Sequence, residues 1–355
     1  MRSSHPWQLV DQPIRPVQLK FPPPPRAVDS PSMPTLNELL HAASRTFAVG
    51  IDHLPSPLRR EVETAYLLLR VSDYLEDNES MEPNQKAGLL DRWARVLARE
   101  DGVEGFARAL GPVPDPTPDA LVARSVVQVA EALDRLRPQA QAVIRRHVRD
   151  STLGMARWVL RGPGLADEAD LDDYMHEVAG RVGWLLTELF SLDVPEVAAQ
   201  RDPMMALGRD FGLALQTVNV IRGLHADWRR GWVYVPRSFA GGDGSAARVF
   251  SDEADPALEG RVLEELVAKA ERHLAAAADY IARLPRRSRG IRLFCLLPHL
   301  FAVRTLALSR GNRAVFRRET KISRAEVRQI VRAAGMLGWS NGWIRWYVGR
   351  LSATA

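Results

Sequence analysis

From Thr35 onward, apolar residues recur at intervals of three and four almost without interruption, the period of amphipathic and core α-helices. The pattern predicts helices over 37–50, 58–79, 85–99, 120–136, 139–160, 167–190, 203–226, 256–284, 289–310 and 323–350. Between them stand turn-forming stretches: P-S-P at 55–57, GPVPDPTPD at 111–119, RGPG at 161–164 and GGDGS at 241–245. Ser323 and Glu326 have the spacing of a capping box. No segment alternates with period two and no fixed-period repeat is present, so the expected fold class is all-α, a single domain over residues 35–355. Residues 1–34 hold nine of the 24 prolines, including Pro22 to Pro25, and read as an extended arm or tail, because proline removes backbone donors and blocks helices.

Two predicted helices carry polar stripes that a plain core would not. In the first, Tyr66, Arg70, Asp73 and Asp77 recur at steps of four, three and four and project from one face. Carboxylates one turn apart repel, and burying them costs far more unless a positive charge lies between them. A solvated surface would also account for two aspartates, but Tyr66 to Val71 is nearly all apolar, which marks a core helix. A hard divalent cation suits such a pair: Mg²⁺ prefers oxygen, keeps part of its water shell and joins one or two carboxylates to substrate phosphates. Arg70 would hold a phosphate oxygen as a fork.

The second stripe is Gln216, Asn219, Gly223 and Asp227, at steps of three, four and four among Leu, Val and Ile. Buried amides and carboxylates need partners, and these suit the far wall of a pocket whose near wall carries Asp73 and Asp77. Arg222, Arg229 and Arg230 add phosphate-binding capacity; a helix end with solvated arginines is the competing account.

Composition narrows the partners. Net charge is +5, from 48 basic and 43 acidic side chains, which fits phosphorylated substrates or weak contact with an anionic membrane surface. Basic residues are scattered along helices without a block or motif for nucleic acid. The one cysteine, Cys295, excludes an internal disulfide framework, fits a reducing, cytoplasmic setting, and in LFCLLPHLF reads as a small core residue. The start of the chain lacks the apolar core of a secretory signal. The longest apolar run, Leu293 to Val303, falls short of the roughly 20 residues that cross a bilayer. Nothing in the sequence sets the oligomeric state.

Several motifs stand in one order: S-R-T-F at 44–47, A-Y-x-L-x-R at 65–70, D-Y-L-E-D at 73–77, Y-M-H-E-V-A-G-R-V-G at 174–183, Q-T-V-N-V-I-R at 216–222, R-R-G-W-V-Y-V-P at 229–236, and Lys321-Ile322-Ser323. Together they resemble the squalene and phytoene synthases over about residues 40 to 330. The resemblance implies an isoprenoid synthase fold: a helical bundle around a central apolar cavity, two aspartate-rich motifs facing each other, and Mg²⁺ holding the diphosphate of an allylic prenyl substrate. It further implies that Asp73 and Asp77 are a metal pair, with Tyr66 and Arg70 beside the diphosphate and Ser44, Arg45 and Thr46 capping it. Tyr174 would face the reacting carbons, Gln216 and Asn219 would line the second wall, Arg222 and Arg230 would bind diphosphate, and Asp227 would close the second motif. Phe47, Tyr66, Tyr174, Trp184 and Trp232 are candidates for cation-π stabilisation of a carbocation, worth up to about 2 kcal/mol when dry.

The departures from that family pattern shape the expected chemistry. The second motif commonly runs R-D-x-x-E-D and then R-R-G-R; here Gly223, Ala226 and Trp232 replace the first aspartate, the glutamate and an arginine. His225 cannot replace Gly223, since two residues on it points about 200° round the helix. Asn219, Gly223 and Asp227 nonetheless keep the spacing of the metal site in class I terpene synthases. Fewer anion-holding groups and an added aromatic face lead to a first expectation: a Mg²⁺-dependent prenyltransferase that ionises one allylic diphosphate and alkylates a small aromatic acceptor, like the squalene-synthase-like enzymes that prenylate carbazoles. Head-to-head joining of two prenyl diphosphates is the second expectation and single-substrate cyclisation the third. A non-catalytic assembly role opposes all three, and the intact Asp73 and Asp77 stand against it.

Overall fold

In the computed structural model the described residues are 33–242, 246–251 and 253–353, the side chains of Arg45 and Thr46 excepted. Nearly all of the proline-rich arm, and Asp243 to Ser245 of the glycine-rich loop, lie outside them. The described residues form sixteen α-helices and no strand, as the periodicity predicts. In chain order they are α1 (Leu36–Ala43), α2 (Arg45–Asp52), α3 (Leu58–Asp77), α4 (Pro83–Leu97), α5 (Val103–Leu110), α6 (Pro118–Arg124), α7 (Val126–Asp134) and α8 (Pro138–Arg161). There follow α9 (Glu168–Met175), α10 (Arg181–Asp193), α11 (Pro195–Ala199), α12 (Arg201–Arg229), α13 (Pro256–Arg283), α14 (Arg289–Ser309), α15 (Arg324–Leu337) and α16 (Asn341–Ala353).

Four expected helices prove to be pairs. The helix expected over 37–50 breaks at Ser44, which ends α1 and caps α2, its hydroxyl accepting from the Phe47 N–H at 3.1 Å. The one over 120–136 breaks at Ser125, and the one over 323–350 breaks between Leu337 and Asn341. Between α9 and α10 the chain makes a π turn, His176–Gly180, inserting one extra residue into a continuous rod. The Ser323–Glu326 capping box forms as expected.

Helix α3 runs through the middle of the bundle, packed on α1, α2, α4, α6, α7, α8 and α10. Seventeen of its 20 residues are buried, so it has no solvent face and each polar group must be met from another helix. Arg137 reaches Glu61 at 2.6 Å, and Ser72 shares a hydrogen bond with Thr152 at 2.7 Å. The 29-residue α12 lies among α10, α13 and α14. Helices α10 and α12 touch backbone to backbone: a Cβ on Gly183 would sit 1.8 Å from the Gly208 carbonyl oxygen, and one on Gly212 would sit 2.2 Å from that of Ala179. The π turn delivers the Ala179 carbonyl to this seam. Helix α14 is long and apolar enough to cross a bilayer, but it is a core helix, 83% of its apolar window being buried by its neighbours.

Candidate active site

One end of α3 and one end of α12 bring the two polar stripes together. Asp73, Asn219 and Asp227 are buried, while Asp77 keeps 24% of its side chain open and stands at the mouth. The link between the walls is Arg230, just beyond α12: its Nη2 donates to Asp227 Oδ1 at 2.5 Å and its Nη1 to Asp77 Oδ1 at 3.5 Å. Burial opposes the charge on Arg230, but Asp77 and Asp227 outweigh it and hold the guanidinium cationic. Arg70 is treated alike: burial works against it, Asp119 and Asp73 outweigh that, and its Nε donates to Asp119 Oδ1 at 2.9 Å and its Nη1 to Asp73 Oδ2 at 3.2 Å.

A second link is aromatic. The Tyr174 hydroxyl lies 3.4 Å from Glu76 Oε1 and 2.8 Å from the hydroxyl of Tyr234, whose ring stacks on it with centroids 4.9 Å apart. Trp232 in turn stacks on Tyr234 with centroids 5.9 Å apart, so three rings run together. Burial, with Glu76 and Tyr234 beside it, pushes the Tyr174 phenol well up, and it stays protonated.

Beyond the polar wall, α12 joins α2, α10, α13 and α14 around an apolar cleft. Phe47, Phe190, Phe211 and Phe294 form its sides, with Leu215, Gly212 and Gly208 from α12. Leu215 directly precedes Gln216, so α12 carries the polar wall at one end and the apolar wall at the other. Phe47 in turn stacks on Tyr66 at 6.3 Å, tying the cleft to the α3 stripe. Tyr280 also lines it, but its hydroxyl is taken by Thr187 at 3.0 Å. The surface offered to a ligand is therefore apolar.

The expected site residues divide as follows. Contacts join Asp77, Arg230 and Asp227, Arg70 and Asp73, and Tyr174 and Glu76 at the polar end. Asn219 and Gln216 are buried further back on α12, and the Gln216 Oε1 is without a hydrogen-bond partner among the described residues. Ser44 caps α2 beside the Tyr66 hydroxyl. The side chains of Arg45 and Thr46 lie outside the described residues. Arg222 is buried with its Nε 3.3 Å from Glu319 Oε1, and Lys321 pairs with the other oxygen of Glu319 at 2.7 Å, so Lys321-Ile322-Ser323 does adjoin α12. His225 turns away from the site, its Nδ1 3.1 Å from the Phe316 carbonyl oxygen. Trp184 is a correction: it packs edge-to-face on His176 at 4.5 Å with Arg181 over its ring, on the far side of α10 from the cleft.

The replacements in the second motif separate by side. Gly223 is buried on the inward stripe, but Ala226 is exposed, so a glutamate there would meet solvent and its loss removes nothing from the cavity. Sequence reasoning missed Glu76, Lys86, Asp119 and Tyr234. Lys86 donates to the Glu76 carbonyl at 2.8 Å, and burial, outweighing nearby Asp77 and Glu76, lowers its pKa. Asp119 sits in the first turn of α6, just after a proline-rich loop, with nothing local to connect it to Arg70 across 49 positions.

The oxygen-rich donor set suits Mg²⁺. Among the described residues no three carboxylates, imidazoles or thiolates converge as in an all-protein metal cage. Mg²⁺ does not require one, since it completes its octahedron with water and substrate phosphate. The buried, unsatisfied Gln216 oxygen beside Asn219, and two carboxylates held apart by a guanidinium, fit a site completed by a charged ligand.

With this geometry in hand, comparison with known proteins is decisive. Residues 40–326 match the model of the squalene/phytoene synthase family. The chain belongs to that family. Human squalene synthase is 28% identical over 303 residues, covering 84% of this chain and 68% of that protein. Botryococcus squalene synthase from Botryococcus braunii is 30% identical over 313 residues, covering 86% of this chain and 64% of that one. Among solved structures, TcSQS in complex with the ligand BPH1237 superposes with a TM-score of 0.75 at 27% identity, over 90% of this chain and 91% of that one. A dehydrosqualene synthase superposes at TM-score 0.58 and 20% identity, over 89% and 95% of the two chains, a likeness of fold. As a member, the protein is an isoprenoid-diphosphate-processing transferase with the all-α isoprenoid synthase fold.

Proposed function

We propose that this enzyme joins two allylic prenyl diphosphates head to head into a long hydrocarbon chain, as the squalene synthases it resembles do by name. The observation that carries the reading is the character of the cleft. Away from the Asp77–Arg230–Asp227 link its walls are apolar, Cys295 among them, with the Tyr280 hydroxyl already engaged. An apolar wall of this kind suits prenyl tails better than a polar acceptor.

Asp73, Asp77, Asn219 and Asp227 would hold Mg²⁺, which supplies charge neutralisation for the departing diphosphate. The protein's own part is positioning and shielding. Arg70 and Arg230 are held cationic and donate to diphosphate oxygens as the allylic C–O bond breaks and its electron pair leaves with the phosphate. The resulting cation takes the π electrons of the second chain's double bond, forming the new carbon–carbon bond, and one proton is released. The joined chain still carries the second diphosphate, whose departure with loss of a second proton gives the hydrocarbon. The Phe walls exclude water, which would otherwise quench the cation, and the Tyr174–Tyr234 stack presents π faces near the polar end.

Incubation with Mg²⁺ and farnesyl or geranylgeranyl diphosphate alone should yield pyrophosphate and a product with twice the donor's carbon count. Free prenyl alcohol as the sole product would reject the reading. Transfer to an aromatic acceptor is a second reading, favoured by the missing carboxylate at Gly223 and the three-ring stack ending at Trp232. It requires that product form only when an aromatic co-substrate is added.

A further inference from the structure

Large apolar side chains exposed to solvent are few in this fold, and half of them lie together. Among the described residues eight are exposed, and Met336, Leu337, Trp339 and Trp346 are four of these, within eleven positions at the α15–α16 corner. The same segment is strongly basic. Residues 324–353 contain Arg324, Arg328, Arg332, Arg345 and Arg350, all exposed, against one acid, Glu326, which is engaged by Arg304 at 2.7 Å. Arg324, Arg328, Arg332 and Arg345 have no carboxylate partner among the described residues, unlike Arg92, which pairs with Asp101 at 2.8 Å, and Arg157, which pairs with Asp173 at 2.7 Å.

The arrangement along each helix is ordered. On α15, Arg328, Arg332 and Met336 follow at steps of four along its outer stripe, opposite the buried Val327, Ile330 and Ala334. On α16, Arg345, Trp346 and Arg350 face outward, opposite Ile344 and Tyr347, with the Arg350 guanidinium 5.8 Å from the Trp346 ring. Tryptophan with arginine is the composition of a surface that sits at a bilayer's headgroup level, where the ring is half wet and the cation meets phosphate. A protein partner of ordinary composition would not require so one-sided a charge.

We propose that the α15–α16 corner docks this enzyme on an anionic lipid surface, with Trp339, Trp346, Met336 and Leu337 entering the headgroup layer and Arg328, Arg332, Arg345 and Arg350 meeting lipid phosphates. The surface lies against the back of α14, whose other side lines the cleft through Phe294, Cys295 and Pro298. Arg292 of α14 fastens it there, donating to Asn341 Oδ1 at 2.6 Å. The docking does not depend on which acceptor the enzyme uses.

The test is co-sedimentation of the full chain with phosphatidylcholine vesicles, with and without phosphatidylglycerol. Wild type should pellet with the anionic vesicles, weakly or not at all with the neutral ones, and less as salt is raised. Each of Arg332→Gln and Arg345→Gln should weaken partitioning about fivefold, equivalent to about 1 kcal/mol per arginine near the surface. The double variant Trp339→Ala, Trp346→Ala should weaken it at least about tenfold while its melting midpoint stays within a few degrees of wild type. Equal binding by wild type and the tryptophan variant, or no binding by either, overturns the proposal. So does a wild-type dimer in sedimentation velocity that the tryptophan variant loses, since the patch would then belong to a second copy.

Discussion

Arg230 reaches from beyond the end of α12 to within 3.5 Å of Asp77 at the end of α3, 153 positions away in the chain, while holding Asp227 at 2.5 Å. A single guanidinium therefore spans the two acidic walls and balances charges that would otherwise repel across the mouth. A divalent cation would serve the same two carboxylates, so the arginine and Mg²⁺ act on shared ligands. Replacing Arg230 with Gln should lower the metal-free melting midpoint and enlarge the upward shift that Mg²⁺ produces. Scanning calorimetry of wild type and variant with and without Mg²⁺ measures this; an unchanged Mg²⁺ shift would show that the metal and Arg230 do not share ligands.

Asp73 is buried and paired with Arg70, which also has Asp119. Asp73→Asn should thus leave the fold standing while removing charge where the diphosphate leaves. Pyrophosphate release is expected to fall at least about a hundredfold, the scale seen when one electrostatic stabiliser is lost. Activity within a few-fold of wild type would remove Asp73 from the site.

Restoring the two acids missing from the second motif should have unequal effects. Gly223→Asp places a carboxylate on the buried stripe between Asn219 and Asp227, so stability without metal should drop and the Mg²⁺ concentration for half-maximal activity should change several-fold. Ala226→Glu adds a charge to an exposed position and should leave both within error. Similar behaviour of the two variants would contradict the sidedness described above.

The backbone seam between α10 and α12 predicts a cost of overpacking. Gly183→Ala drives a methyl to 1.8 Å from the Gly208 carbonyl oxygen, and neither helix can yield without moving the cleft wall. Chemical denaturation should report a loss of about 3 kcal/mol or more. Alanine at Gly349, an exposed position of α16 where nothing lies within 4 Å, is the control and should be neutral to slightly stabilising.

Burial pushes the imidazole of His299 down to about 4 from 6.5, and neither ring nitrogen has a hydrogen-bond partner among the described residues. The unfolded chain therefore binds the proton first. Its contribution to stability is complete above about pH 6.5 and is lost as pH falls towards 4, by about 3 kcal/mol in all. His299→Leu should be at least as stable as wild type at pH 7 and should lose less between pH 6.5 and 4. Parallel denaturation curves at pH 7 and 5 decide this; identical pH slopes would mean that His299 is not protonated on unfolding.

What was legible in the sequence follows from which interactions are local. Helical periodicity is a property of neighbours three and four apart, so the all-α class and most helices could be read directly, as could the Ser323–Glu326 box. Breaks at Ser44 and Ser125 could not, because serine inside a helix and serine at a cap differ only in what packs against the next turn. Trp184 illustrates the same limit: its helical phase was plain, but which side of α10 meets the cleft depends on the Gly183–Gly208 contact with α12.

The order of the motifs, the two polar stripes and their spacing belonged to the sequence alone, because a stripe is set by residues within one helix. The joining of Asp77 to Asp227 through Arg230, of Arg70 to Asp119, and of Glu76 to Tyr174 belonged to the tertiary structure. Each is a contact between charges or hydroxyls dozens of positions apart, brought together only when apolar faces on several helices are buried at once. The same packing decided that Gly223 is buried and Ala226 exposed, a distinction of about 60° of helix and chain crossing that no linear pattern records.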